Sequence, residues 1–228
     1  MRLAIALLLV AGHAAAQGIP PASRIDAYAS KKNQQRLRIE WDALPDATPV
    51  KLPDGTDEPA KAPWPFVLFV QSEDGKSAEK IASNILTDAR FALASRLVKP
   101  IKLTPTKAVD LRYLAGISGI KDPTIVVLGR DFSVVGALRD HKEFTADRCL
   151  ALMAKAADAA YSRPLGAWLK EYVGILQEAE KLWKEELRIE EMAERSGGKS
   201  AADREKGFKE IEAREREFKA QEERLLDR

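Results

Sequence analysis

Between Phe66 and Ala160, short apolar runs alternate with stretches of helical periodicity. Phe66-Val67-Leu68-Phe69-Val70, aromatic or aliphatic throughout, predicts a strand. From Ser77 to Val98 the apolar residues Ile81, Ile85, Leu86, Ala89, Leu93 and Leu97 recur at helical spacing, and Ile101-Lys102-Leu103 predicts a second strand. A strand, a crossover helix and a strand of these lengths imply a right-handed βαβ unit with parallel pairing. Val109–Leu114 then reads as a short helix, Thr124–Leu128 as a third strand, Ser133–Ala137 as a fourth and Thr145–Ala160 as a closing helix. The third and fourth strands are close enough to form a hairpin turning at Gly129-Arg130-Asp131.

From Pro164 the pattern changes. Leu165, Trp168, Leu169, Tyr172, Ile175, Leu176, Ala179, Leu182, Trp183 and Leu187 form one apolar stripe, so a long amphipathic helix is expected. Glu180 with Lys184, Glu191 with Arg195, Glu205 with Lys209 and Glu210 with Arg214 are acid-first pairs four apart that support it. Ser196-Gly197-Gly198-Lys199-Ser200 interrupts the pattern, because two adjacent glycines cost about 2 kcal/mol relative to alanine inside a helix. Beyond it Phe208, Ile211, Phe218 and Leu225 continue a thinner, coiled-coil-like seam, with Glu215 and Glu222 where a strong seam would be apolar. The tail is therefore either an antiparallel hairpin or a docked helix followed by an extended arm. Trp168, Tyr172 and Trp183 are its candidate docking residues.

Residues 17–63 lack such periodicity. Pro20-Pro21, Pro45, Pro49, Pro53, Pro59 and Pro63 break any long element, and only Leu37–Trp41 alternates like a strand, a candidate edge strand for the sheet. Ahead of it, Met1-Arg2, the apolar Leu3–Gly12 and the small residues Ala14-Ala15-Ala16 have the form of a cleaved signal peptide, residues 1–16. The expected location is extracytoplasmic, periplasmic or secreted, with no membrane span in the mature chain. The expected divisions are thus 1–16, a proline-rich segment 17–63, an α/β domain 64–162 and a helical extension 163–228 that breaks at 196–200.

Composition narrows the function classes. A formal net charge of +2, with both signs mixed along 228 residues, provides no basic patch for nucleic acid. One cysteine, Cys149, follows the signal segment, so no internal disulfide closes and thiol–disulfide exchange lacks a resolving sulfur. The apolar neighbours Leu150, Leu152 and Met153 point to a buried thiol. His141 beside Asp140 and Glu143 falls short of a zinc ligand set, and Gly197-Gly198-Lys199-Ser200 resembles a phosphate loop without the required first glycine or preceding strand. Neither a metal nor a cofactor is expected.

Phe66–Val70, Ile85–Phe91, Leu114–Leu128 and Asp131–Gly136 together resemble the thioredoxin-like superfamily, in particular its secreted bacterial members. The resemblance implies an α/β fold of that type, a mixed sheet flanked by helices. It implies that Pro123, in Gly119-Ile120-Lys121-Asp122-Pro123-Thr124, is the family's cis-proline. It also puts the positions of the redox cysteines near Gly75 and Ala78, which carry no nucleophile. Ser72 and Ser77 lack the glycine-framed elbow of a hydrolase, and Ser77 suits a helix cap.

The expectation is a redox-inactive protein-binding or scaffold module with no catalytic residues. Gly75, Ala78, Pro123 and Thr124 are its candidate binding surface, and association into a homo-oligomer would run through the C-terminal helices. The alternative is an oxidoreductase-like enzyme that uses Cys149 with an external thiol.

Overall fold

A computed structural model describes residues 18–26, 33–51, 53, 57–58, 60–72, 81–111, 114, 122–140, 142–195 and 201–226. The expected signal peptide, Gly75, Ala78, Ser77, His141 and the 196–200 break lie outside the described residues. In chain order the elements are α1 (Ala22–Asp26), β1 (Val50–Lys51), β2 (Asp57–Glu58), β3 (Phe66–Val70), a π-helical turn (Ala82–Leu86), α2 (Ala89–Ala94), β4 (Lys99–Leu103), α3 (Pro105–Val109), β5 (Thr124–Leu128), β6 (Val134–Leu138), α4 (Ala146–Ala160), α5 (Leu165–Arg195) and α6 (Ala201–Leu226). They form two compact units, Met1–Ile19 with Ile39–Ala167 and Pro20–Arg38 with Trp168–Arg228. These units cut across the divisions expected from composition, because Pro20–Arg38 groups with the helices.

The first unit is mixed α/β. Its four-stranded sheet has the order β4-β3-β5-β6, with β3 parallel to β4 and antiparallel to β5, and β5 antiparallel to β6. The central strands β3 and β5 are buried along their whole length, as the apolar runs Phe66–Val70 and Ile125–Leu128 require, and Thr124 at the start of β5 is buried with them. Phe66, Leu68, Val70, Ile101, Leu103, Val126 and Leu128 form one core with Ala62, Ala108 and Leu114, while α4 packs on β5 and β6. β1 and β2 form a separate two-stranded antiparallel pair.

Three local expectations need correction. The helix expected over Ser77–Val98 is broken at Thr87-Asp88: Asp88 is extended and its carboxylate accepts from the Arg90 backbone N–H, starting α2 afresh. Aspartate is among the best N-caps, so this local bond competes with a continuous helix. The short helix lies one turn earlier than expected, where Thr104 caps it and Pro105 occupies its first turn. Leu37–Trp41 forms no strand. The Asp42 N–H does reach the Pro100 carbonyl of β4 at 2.9 Å, but Pro100 has no N–H to return the bond, so no ladder follows.

The β5–β6 hairpin turns where expected. The Gly129 N–H donates to the Ser133 carbonyl, and Phe132 adopts φ 61° while its buried ring packs edge-on against Phe66 at 5.4 Å. The Ser133 hydroxyl and backbone N–H hold Asp131 below the ordinary carboxylate range. Val135 is a bulge, since Val127 pairs with Gly136 and Leu128 with Val134.

In the second unit α5 and α6 run antiparallel as a hairpin. Trp168 and Tyr172 near the start of α5 bond to Leu225 and Glu222 near the end of α6, and Ile189 lies against Gly207. A Cβ at Gly207 would sit 2.9 Å from Ile189 Cδ1, so the absent side chain admits the close approach.

Candidate functional site

Two places hold the candidate residues. The first is the corner where β3 ends and β5 begins. Val70 pairs with Thr124 in the β3–β5 ladder, the Asp122–Pro123 peptide bond is cis, and the Ser72 N–H donates to the Asp122 carboxylate at 3.1 Å. Pro123 and Thr124 are both buried, so the exposed chemistry at this corner belongs to Ser72 and Asp122 rather than to the pair expected from the sequence. Beside them the buried Gln71 Oε1 has no hydrogen-bond partner among the described residues, a feature the sequence did not signal. An orphaned acceptor of this kind costs about 1–3 kcal/mol unless a donor reaches it.

Cys149 lies elsewhere, on α4, and is fully buried. Burial alone pushes its thiol up to about 12, because an apolar surround disfavours the thiolate. At neutral pH the nucleophilic form is therefore almost absent, and the sulfur behaves as a small core side chain. Among the described residues, no group of three or more His, Cys, Asp or Glu side chains is placed to hold a metal ion. No described helix is long and apolar enough to cross a membrane.

The second place is the open end of the helical hairpin. Trp168 and Tyr172 are fully buried, and their rings stack at 5.0 Å and 31°. The Trp168 indole N–H donates to the Leu225 carbonyl at 3.1 Å, while the Tyr172 hydroxyl donates to Glu222 Oε1. Both docking candidates thus engage α6, whereas Trp183 is only half-buried. Arg36 closes the same end: its Nε lies 3.1 Å from each Glu222 oxygen, its Nη2 2.8 Å from Oε2, and its guanidinium 4.9 Å from the centre of the Phe218 ring. Asn33, fully buried, donates from Nδ2 to the Leu176 carbonyl at 3.0 Å.

Sequence reasoning missed Arg36 and Asn33 altogether. Glu222 was noticed only as a flaw in the apolar seam, and that misfit was the available signal. Farther along the hairpin, Arg214 reaches across to Glu178 and Glu185 at 3.0 and 2.6 Å. The intrahelical pairs Glu180–Lys184, Glu191–Arg195 and Glu205–Lys209 form as expected.

No family model, curated protein or solved structure matches this chain.

Proposed function

We infer that the chain is a redox-inactive, thioredoxin-like protein that works outside the cytoplasm by binding another protein, as a scaffold or adaptor. One observation carries the reading: its sole cysteine is sealed in the core with its thiol pushed up to about 12. A thiol-disulfide enzyme needs an accessible thiolate, and an external resolving thiol cannot attack a mixed disulfide on a sulfur that no substrate reaches. The thioredoxin-like part of the reading draws on the mixed sheet, with its parallel β3–β4 pair and antiparallel β5–β6 hairpin, since the resemblance implies a mixed sheet flanked by helices. The binding part draws on the Ser72–Asp122 corner, where exposed polar groups flank an orphaned acceptor. The extracytoplasmic part draws on the leader-like first sixteen residues.

The experiment has two arms. Insulin reduction by the purified protein should not exceed buffer. A photocrosslinker placed at Ser72 should capture a partner protein from the native extracytoplasmic fraction, and Asp122→Arg should abolish that capture. Reductase activity that disappears in Cys149→Ser would overturn the reading, as would crosslinking indifferent to Asp122.

A further inference from the structure

The sheet of the first unit has two edges, and they are built differently. Along β4, Lys99 and Lys102 place cations on the strand, Pro100 lacks an N–H, and the Asp42 N–H already occupies the Pro100 carbonyl at 2.9 Å. Lysine, proline and a covering segment are the devices by which edge strands resist pairing with another chain. β6 reads Val134-Val135-Gly136-Ala137-Leu138, with no charge and no proline. Among the described residues its main chain hydrogen-bonds to β5 alone, and in a strand alternate main-chain groups point to the opposite side. Gly136 is only half-buried although Leu152 of α4 fills the space where its side chain would stand, so the surface accessible there is main chain. Val134 on the same strand is 41% exposed.

The two ends of β6 carry opposite charges. Asp131, exposed and held ionised by the Ser133 hydroxyl and backbone N–H, precedes the strand, and the exposed Arg139 follows it. A second β6 lying antiparallel sets each Asp131 end against the other copy's Arg139 end, whereas parallel pairing sets like charge against like. The Val135 bulge pins the register of the added strand. Such a pairing also closes on itself: both outer edges of the joined sheet are then β4, whose lysines and proline stop further growth.

We propose that β6 is the contact between two copies of this chain, paired antiparallel about a two-fold axis so that two four-stranded sheets become one. The proposal uses neither the Ser72–Asp122 corner nor the C-terminal helices. Five residues a side make a small contact, so the dimer forms as concentration rises and is not an obligate unit.

Sedimentation equilibrium of the whole chain should show the mass rising with concentration from one chain to two. Val134→Lys adds a cation on both sides of the axis and should weaken that association at least about tenfold. Val109→Lys, on α3 at 71% exposure, and Leu187→Lys, on α5 at 39%, are the controls and should leave it unchanged. A single chain at every concentration, association indifferent to Val134→Lys, or equal weakening by either control would overturn the proposal. Should Val134→Lys not fold, hydrogen exchange of the wild-type protein decides: β6 amides must exchange more slowly at high concentration than at low, with β4 amides unchanged, and the lack of that difference contradicts the proposal. Neither readout involves Ser72 crosslinking, so the scaffold reading stands or falls separately.

Discussion

The sheet unit and the helical unit are held together by different means. In the first, every residue of β3 and β5 is buried and all but Thr124 are apolar, and the interior is closed by rings such as Phe69, which packs edge-on against Trp41 at 5.5 Å and Phe91 at 5.7 Å. In the second, large aromatics are also buried, but polar groups from remote parts of the chain complete the packing: Trp168 to Leu225, Tyr172 to Glu222, and Arg36 to Glu222 across 186 residues. Apolar burial is non-directional and tolerates small shifts, whereas a bidentate ion pair holds only one register. The sheet unit therefore takes its stability from composition, and the helical unit takes its alignment from a few specific atoms.

Substitutions can break or sharpen that contrast. Phe69→Ala should have the largest effect, about 4 kcal/mol in urea unfolding, since a fully buried ring with two aromatic neighbours leaves a cavity the sheet cannot close. Trp168→Ala should lower stability by about 3 kcal/mol, with hydrogen exchange rising first in α5 and α6; a variant that melts like wild type would remove the claim that this ring anchors the hairpin.

Asp88→Ala removes the cap that starts α2 and the partner that raises the Arg90 pKa, and should cost about 1–2 kcal/mol by the same measurement. An unchanged midpoint would mean that the Thr87-Asp88 break contributes nothing to stability.

The smallest effect belongs to the exposed bridge at Arg214. Its guanidinium holds Glu178 below the ordinary carboxylate value of 4.5, so the contribution of this pair is present above that value and is lost as pH falls through the depressed one. Because both partners are more than a third exposed, Arg214→Ala should change stability by less than about 0.5 kcal/mol near neutral pH. The difference from wild type should shrink below pH 4.5 and in high salt; a difference that persists in acid would assign Arg214 a role other than this pair.

The same contrast explains what the sequence revealed. β3, β5, β6, α4 and α5 were legible because each is a local pattern: an apolar run, an alternation bounded by glycine, or a stripe at helical spacing. The break at Asp88 and the start of α3 at Thr104-Pro105 were also local but weaker, since one capping side chain had to outweigh a continuing apolar stripe. The edge strand failed at a single residue, Pro100, whose missing N–H stops the ladder that alternation alone suggested. Within the candidate site, Trp168 and Tyr172 were visible as large aromatics on a charged helix. Arg36 and Asn33 were not, because their partners lie 186 and 143 residues away and nothing in their own neighbourhood marks them. The burial of Pro123 and Thr124 likewise depends on strands brought together only by the fold.

The measurement that bears most directly on the central claim is the reactivity of Cys149. With a disulfide-type thiol reagent near pH 8, the native protein should release no thiol on the timescale in which free cysteine reacts fully, and the denatured protein should release one per chain. A thiol held at about 12 by burial has almost no thiolate at that pH and no path for the reagent. Rapid stoichiometric labelling of the native chain would contradict the account and return Cys149 to the thiol-dependent enzyme reading.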